Sequence, residues 1–449
     1  MKNSKWFRHS THTSGLGMVK TRKKERADIL VVNANELITL KGGSTSPRTR
    51  LQMQNLGIIH KGALAVKNDR VVAVGKTSEV KMKYRAENVI SASGKIVMPG
   101  FVDPHTHLVF AGSREDEFKM SVEGASYMDI LESGGGILKT VKKTRRATVE
   151  ELVESGFKTL DAMLEHGTTT VEAKSGYGLT VKDELKILRV IKRLNQLHTV
   201  DVIPTFMGAH AIPPEYRNKP QQYVDLVVMK MIPQMVAEKL AVFCDVFCEK
   251  DVFGLAQSRR VLVAGKNHKL KLKIHADEMS KLGGAELAAD VGAVSAEHLL
   301  FSSDDGLKAM AEKGVIAVLL PAAAFSLMIG RYADARKMID FGVPVALGTD
   351  FNPSCWVESQ QLIIAFACHF MKLTPAEAIT ATTINAAHAI KKADEIGSLE
   401  VGKKADVIIL DVPNHKFLGY RFGVNLINKV IKNGRIVFDK EADRSKFFS

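Results

Sequence analysis

The chain has 449 residues, of which 45% are hydrophobic and 25% charged, so it has room for one large and one smaller domain of ordinary soluble composition. It contains neither the run of ~20 apolar residues that a membrane span needs nor a secretory signal, which argues against a membrane partner. The net charge is +14, but residues 1–26 carry eight Lys and Arg against one Glu, which is half of it. We predict that this basic tail is disordered and that the protein does not bind nucleic acid.

The four cysteines, Cys244, Cys248, Cys355 and Cys368, contain no CxxC pair and are too few to cross-link so long a chain. This usage favours buried or site-lining thiols in a reducing cytoplasm over disulfides. Cys244 and Cys248 lie four residues apart, on one face of a predicted strand, so we interpret both as packing thiols.

Both ends of the chain have β patterning. Strands are predicted over 28–32, 63–67, 70–75 and 95–98, with a hairpin turn at Asn68-Asp69, and again over 405–411 and 429–438. Residues 42–56 are rich in Ser, Gly, Arg and Gln and are predicted to form a loop. We expect residues 27–100 and 395–449 to build one small composite β-sandwich domain.

Between them, residues 101–394 alternate between strands and helices. Eight predicted strands end at His107, Ser175, His210, Glu249, Ala276, His298, Pro321 and Asp350. Helical patterns separate them, over 149–165, 182–197, 221–237, 285–291, 304–313 and 332–341. This is the pattern of a (β/α)8 TIM barrel of the α/β class, whose active site lies at the C-terminal ends of the strands.

Several histidines and an aspartate follow these strands. His105 and His107 are two residues apart in an extended segment, so both imidazoles point the same way, and His275 and Asp350 end two further strands. Imidazole and carboxylate groups hold zinc or iron. An isolated His-x-His is more often two surface histidines, and the alternative role for Asp350 is a helix N-cap. The shared barrel face is what favours a metal site.

The motifs around these residues resemble a known family. Residues 99–107, His275, 348–350 and 397–406 resemble the metal-dependent amidohydrolase superfamily. Within it, six stretches resemble the imidazolonepropionases, in chain order 109–114, 133–137, 172–179, 208–210, 275–278 and 295–298. The resemblance covers about residues 27–440. It implies hydrolysis of 4-imidazolone-5-propanoate to N-formimidoyl-L-glutamate, the third step of histidine degradation.

The resemblance also implies a catalytic set. One metal ion, zinc or iron, would be held by His105, His107, His275 and Asp350. Glu278 would shuttle a proton from water to the ring nitrogen that leaves, with Asp350 as a second proton acceptor, and His298 would stabilise the developing oxyanion. The alternatives are a surface Glu in the first turn of a helix and a structural strand-end histidine.

The substrate also carries a carboxylate. The guanidinium of Arg114 offers a planar fork for the propanoate, although a surface ion pair with Glu115 or Asp116 is the usual fate of an Arg in such a run. By resemblance, further substrate contacts come from Tyr127, Tyr177, His210, Asn352 and Ser354. Ser354 stands where the family usually has glycine, which allows a close backbone approach and a positive φ.

Amidohydrolases with two metals often bridge them with a carboxylated lysine on the fourth barrel strand. Lys174 falls on the second predicted strand, and the fourth ends at Cys248-Glu249, so we predict one metal.

Three other functions are considered. A one-metal deaminase of cytosine or guanine would share the ligands, but a nucleobase has no carboxylate for Arg114. A non-enzymatic scaffold on the same fold would tend to have lost metal ligands. A nucleic-acid binder would depend on the tail alone. We therefore expect a cytoplasmic enzyme with a small-molecule substrate, and a homodimer because that state is common in the superfamily.

Overall fold

The computed structural model describes residues 24–125, 129 and 134–445. The predicted substrate contact Tyr127 and the first 23 residues of the predicted tail lie outside these ranges. Within the predicted tail, Glu25–Arg26 form a short strand that pairs with Tyr84–Arg85.

The first domain is built on one mixed sheet with strands from both ends of the chain. The N-terminal part of the domain contains β1 (Glu25–Arg26), β2 (Ile29–Ile38), β3 (Ile58–Lys67), β4 (Arg70–Lys76), α1 (Thr77–Lys83), β5 (Tyr84–Arg85), β6 (Asn88–Ser91) and β7 (Ile96–Pro99). Of these strands, β1 and β5 pair with each other in a separate two-stranded sheet. Next to β7 lie three strands from the other chain end, which run over Val407–Leu410, Ile427–Lys432 and Arg435–Asp439. Separate apolar clusters cover its two faces. The predicted composite β domain is confirmed.

The second domain is the predicted barrel. Its eight strands are β8 (Phe101–Asp103), β9 (Thr168–Lys174), β10 (Asp201–Ala209), β11 (Phe243–Cys248), β12 (Lys271–Ala276), β13 (Ser295–His298), β14 (Ile316–Leu319) and β15 (Val345–Leu347). Neighbours in sequence are parallel neighbours in the sheet. A parallel bridge between Thr106 and Phe351 joins the first strand to the last. The three C-terminal strands of the first domain follow as β16, β17 and β18.

Helices cover the outside of the barrel. They are α2 (Glu115–Val122), α3 (Ile137–Arg146), α4 (Val149–Glu165), α5 (Val181–Leu197), α6 (Pro220–Leu226), α7 (Ile232–Ala237), α8 (Leu255–Asn267), α9 (Gly284–Val291), α10 (Asp304–Lys313), α11 (Pro321–Ser326), α12 (Ala335–Phe341), α13 (Gln360–Met371), α14 (Pro375–Ala381) and α15 (Ile384–Ala389). The last helix, α16 (Lys440–Ser445), follows β18. Short 3-10 segments are Arg50–Gln54, Pro214–Tyr216 and His415–Phe417. No helix in the described ranges is both long and apolar enough to cross a membrane.

The helix predicted over 221–237 is divided in two by a π-helical segment, Val227–Met231. Pro233 lies in the first turn after this segment. Proline has no N–H to donate and its ring crowds the preceding turn, so the regular hydrogen-bond ladder is interrupted here. The predicted helix 332–341 starts later, at Ala335, because the Asp334 side chain caps it by accepting from the backbone N–H of Lys337.

Candidate active site

The four predicted metal ligands meet at the C-terminal end of the barrel strands. His105 and His107 follow β8, His275 belongs to β12, and Asp350 follows β15. The nearest carboxylate oxygen of Asp350 lies 3.3 Å from Nε2 of His105 and 3.8 Å from Nε2 of His107. The ring centroids of His105 and His275 are 4.6 Å apart. All four side chains are buried, which overturns the surface-histidine alternative.

The backbone at Asp350 and His298 is unusual for residues with a side chain. Their φ angles are 51° and 70°, in the left-handed region. Strained backbone of this kind persists where the surroundings over-determine it, and it is concentrated at active sites. Helix α13, the next helix after Asp350, starts at Gln360 with Ser359 as its cap, so Asp350 has no capping role there.

The residues fit a metal ion. Among the buried side-chain atoms without a hydrogen-bond partner are Nε2 of His105 and Nε2 of His275. Ligand atoms of His105, His107 and Asp350 lie within 4.8 Å of one another, as do those of His105, His275 and His298. Buried polar groups without partners are costly, and nitrogen and oxygen donors in this arrangement suit zinc or iron.

Two carboxylates behind the histidines were missed by the sequence analysis. Oε2 of Glu297 lies 2.6 Å from Nδ1 of His105, and Asp245 lies 3.2 Å from Nδ1 of His275. Although burial opposes a charge on His105, the Glu297 carboxylate raises its pKa to about 9. Burial and the nearby His210 hold the pKa of His107 well below its usual range, so its ring is neutral, the form that binds metal.

Below these carboxylates two lysines complete a charged layer. Lys174 and Lys273 are fully buried, and Lys174 lies on β9, the second barrel strand, as predicted. Its Nζ is 2.8 Å from Asp245 and 2.9 Å from Glu297. A signal for these residues exists in the sequence: charged residues stand two apart in a predicted barrel strand that is otherwise uncharged, as Glu172 and Lys174 do.

Glu278 and His298 face each other beside the ligands. Nδ1 of His298 lies 3.5 Å from Oε1 of Glu278. Burial, together with the charges of Asp350 and Glu249, raises the pKa of Glu278 to about 8, whereas burial lowers the pKa of His298 to about 3. Glu278 is buried and precedes α9 by several residues, so the alternative of a surface Glu in a helix's first turn is wrong.

Glu249 holds the segment that carries Glu278. Its Oε2 accepts hydrogen bonds from the backbone N–H groups of Glu278, at 3.1 Å, and of Met279, at 2.9 Å. The neighbouring Asp277 accepts from four backbone N–H groups at the start of α9. These two carboxylates fix the loop after β12, so Glu278 is placed by backbone contacts.

A cavity of about 100 Å³ opens above the histidines. The predicted substrate residues within the described ranges all line it: Arg114, Tyr177, His210, Asn352 and Ser354. Arg114 is buried and pairs with Glu117, at 2.8 Å from Nε and 2.7 Å from Nη2. The expected alternative of an exposed ion pair with Glu115 or Asp116 is therefore wrong, because α2 turns Glu117 towards the guanidinium.

His210 and Tyr177 form one wall of the cavity. The rings of His210 and His107 are stacked with centroids 4.8 Å apart, and Nδ1 of His210 lies 3.1 Å from the carbonyl oxygen of Gly176. A Cβ at Gly176 would lie 2.8 Å from the same nitrogen, at a φ of 116°, so only glycine fits here. Burial lowers the pKa of His210 to about 3 and raises that of the Tyr177 hydroxyl.

The loop after Asp350 is closed by its own side chains. Nδ2 of Asn352 donates to the carbonyl oxygen of Asp350 at 2.8 Å, and its Oδ1 accepts from the backbone N–H and the hydroxyl of Ser354, each at 2.8 Å. Ser354 does not have a positive φ. Serine therefore satisfies the turn where the family usually has glycine.

Comparison with known proteins agrees with this fold. The family model for the amidohydrolase family matches residues 96–437, and the chain belongs to that family. It is 54% identical to imidazolonepropionase from Alkaliphilus metalliredigens (strain QYMF) over 92% of this chain and 98% of that protein. The imidazolonepropionase of Brevibacillus brevis is 55% identical, over 91% of this chain and 97% of that protein. Within the amidohydrolases, the chain is thus a member of the imidazolonepropionase family and a hydrolase.

Among solved structures, a zinc-bound adenosine deaminase from Xanthomonas campestris has a similar fold. Its TM-score is 0.66 at 18% identity, over 94% of this chain and 97% of that one. At this identity the likeness supports the barrel and the added β domain alone.

Proposed function

We propose that the protein hydrolyses 4-imidazolone-5-propanoate to N-formimidoyl-L-glutamate, in the degradation of histidine. The observation that carries this proposal is a small cavity lined both by a cluster of histidines with Asp350 and by the buried Arg114. A heterocycle with a carboxylate tail needs both. Membership in the imidazolonepropionase family supports the same substrate, whereas a nucleobase offers nothing to Arg114.

His105, His107, His275 and Asp350 would hold one ion, zinc or iron. A bound ion of this kind lowers the pKa of water from 15.7 towards about 7 and polarises the carbon under attack. Lys174 supports a single ion, since its ammonium is ion-paired on β9 and no bridging lysine stands at the end of β11.

Glu278 moves the protons. Its burial beside Asp350 makes it a strong acceptor for a proton from the attacking water. It then delivers that proton to the ring nitrogen as the ring C–N bond breaks. Asp350 is a second acceptor at the same water, and His298, 3.5 Å from Glu278, stabilises the oxygen on which negative charge develops.

Arg114 binds the propanoate carboxylate, since a guanidinium already held by Glu117 is pre-oriented and pays little entropy on binding. Tyr177 and His210 hydrogen-bond the imidazolone ring, and Asn352 with Ser354 contacts the open product. Tyr127 would assist Arg114. Each of these contacts is a proposal for mutagenesis.

The test uses the purified full chain loaded with zinc or with iron. Metal content is measured together with the loss of ultraviolet absorption by imidazolonepropionate and the appearance of N-formimidoyl-L-glutamate by mass spectrometry. We expect turnover with one ion per subunit. Release of ammonia from cytosine or guanine without turnover of imidazolonepropionate would contradict the proposal and favour a deaminase.

We also propose a division into a composite domain of residues 27–100 and 395–449 and a barrel of residues 101–394. A cytoplasmic location is supported by the cysteines, all four of which are free thiols. A homodimer without nucleic acid is proposed for the native state, and light scattering during size-exclusion chromatography tests it.

A further inference from the structure

Five charged side chains lie together in the barrel interior beneath the histidines. This buried charge layer consists of Glu172, Lys174, Asp245, Lys273 and Glu297, from β9, β11, β12 and β13. Each of the five is fully buried. Buried charges are costly unless each is paired and hydrogen-bonded, so a protein that keeps five of them at its active site needs them there.

Lys174 is at the centre of the layer. Its Nζ lies 3.0 Å from Glu172, 2.8 Å from Asp245 and 2.9 Å from Glu297. The three protons of an ammonium group match three carboxylates. Glu172 with Glu297 and Asp245 with Glu297 also belong to two groups of ligand-type atoms close enough to surround a cation. The ammonium of Lys174 already occupies a cation position between them.

Two of these carboxylates contact the predicted metal ligands. Oε2 of Glu297, the oxygen that faces Lys174, also lies 2.6 Å from Nδ1 of His105. Asp245 lies 3.2 Å from Nδ1 of His275. A carboxylate that accepts from Nδ1–H fixes the tautomer and the rotation of the imidazole and leaves Nε2 for the metal. One ammonium is thus linked to two ligands on different strands.

We propose that Lys174 is a positioning residue for the metal centre. Its ammonium holds Asp245 and Glu297 as oriented carboxylates, and these keep Nε2 of His105 and of His275 directed at one ion. The inference rests on the proposed function, because it requires an ion held by those histidines. It adds a role for a residue that contacts neither substrate nor metal.

Lys273 provides a matched control within the same layer. Its Nζ lies 3.1 Å from Glu172 and 3.2 Å from Oε1 of Glu297, which is the other oxygen of that carboxylate. It also lies 3.2 Å from the carbonyl oxygen of Pro104. Replacement of Lys273 by Met removes one positive charge from the layer, as the change at Lys174 does, but leaves the contacts of Lys174 with Asp245 and with Oε2 of Glu297 in place.

The experiment compares Lys174→Met with Lys273→Met in the full chain loaded with Co²⁺. The Co²⁺ dissociation constant is measured by competition with a chelator, and the visible absorption spectrum reports the ligand geometry. We expect Lys174→Met to weaken Co²⁺ binding by about 10- to 100-fold, the usual effect of losing an outer-shell partner, and to change the spectrum. Lys273→Met should keep the wild-type spectrum and weaken binding less.

Unchanged affinity and spectrum in Lys174→Met would overturn the inference, and so would equal effects of the two variants, since charge balance alone would then explain them. Thermal unfolding of the metal-free proteins checks that each variant folds. Lys174→Gln, whose amide still donates to the carboxylates, replaces Lys174→Met if that variant does not fold, and it should give a smaller change of the same sign.

A double-mutant cycle tests the route of the effect. If Lys174 acts in part through Asp245, then Lys174→Met should cost less Co²⁺ affinity in the Asp245→Asn background than in the wild type, and the remaining loss should come from its contact with Glu297. Strictly additive losses would overturn the route. A wild-type chain that binds no ion contradicts the proposed function itself, whereas one ion in the wild type and an unaffected Lys174→Met contradict the inference alone.

Discussion

Two regions of the molecule bury lysines against carboxylates, and they differ in whether all of the buried polar atoms nearby have hydrogen-bond partners. One is the buried charge layer under the histidines. The other lies at the opposite end of the barrel, where Lys432 at the end of β17 contacts Asp201 at the start of β10, at 2.8 Å, and Asp406, at 2.7 Å. Lys404 contacts the same Asp201 at 3.1 Å. This second network joins the β domain to the barrel.

The two networks differ in how completely their polar atoms are paired. Within the described residues, no side-chain atom of the junction network is buried without a hydrogen-bond partner, whereas Nε2 of His105 and Nε2 of His275, above the buried charge layer, are buried without one. The residue types alone do not distinguish a structural network from a functional one, because both networks consist of lysines and carboxylates. The incomplete pairing does, because a folded protein keeps buried unpaired groups mainly where a ligand completes them.

The largest effect is expected from removal of a ligand. His105→Ala and Asp350→Ala should each abolish bound metal and turnover, because each removes a donor from the cluster of proposed ligands. Metal content by plasma mass spectrometry and the ultraviolet assay check this. Stoichiometric metal in either variant would remove that residue from the coordination sphere.

Glu278→Gln should retain metal and substrate binding while kcat falls by about 10²–10⁴, the usual contribution of general acid–base catalysis. Gln keeps the size and one acceptor oxygen of Glu, so a fall in kcat would come from the missing proton transfer and not from a change of shape. The acidic limb of the pH–rate profile should change as well. A near-normal kcat would assign the proton to Asp350 or His298, and loss of the metal would make Glu278 a ligand.

Arg114→Ala should lower kcat/KM by far more than tenfold, since truncation of a buried charged hydrogen bond costs roughly 2–5 kcal/mol. Arg114→Lys keeps the charge without the planar fork and should raise KM. The control is a substrate analogue without the carboxylate. Removal of the carboxylate should not lower kcat/KM of Arg114→Ala any further. If removal of the carboxylate lowers kcat/KM equally in the wild type and in Arg114→Ala, Arg114 does not bind the carboxylate.

The smallest effect on catalysis is expected at the junction. Lys432→Met leaves Asp406 buried without its cation, and the free energy of unfolding should fall by an amount at or below the lower end of the ~3–5 kcal/mol typical of broken buried pairs, because Asp201 is partly solvated. Metal content and kcat should stay at the wild-type level. A loss of bound metal in this variant would show that the two networks are coupled and would remove the contrast between them.

The sequence alone was sufficient to predict the barrel and to predict which candidate residues lie together at the C-terminal end of its strands. Eight strands could be predicted because short runs rich in apolar and β-branched residues alternate with helical patterns along residues 101–394. His105, His107, His275 and Asp350 could be predicted because the ends of parallel strands meet at one face whatever their separation along the chain. The catalytic and substrate roles came from the resemblance, which carries residue identities but not contacts.

Only the tertiary structure decided which charges pair. Lys174 meets Asp245 across 71 residues, and its contact with Glu297 comes from strand register and inward alternation, neither of which a single sequence displays. The same holds locally for Arg114, whose partner is Glu117 because α2 starts at Glu115 and sets the direction of each side chain. Pairing depends on distances of a few ångströms between strands, and the sequence records only which residues are available.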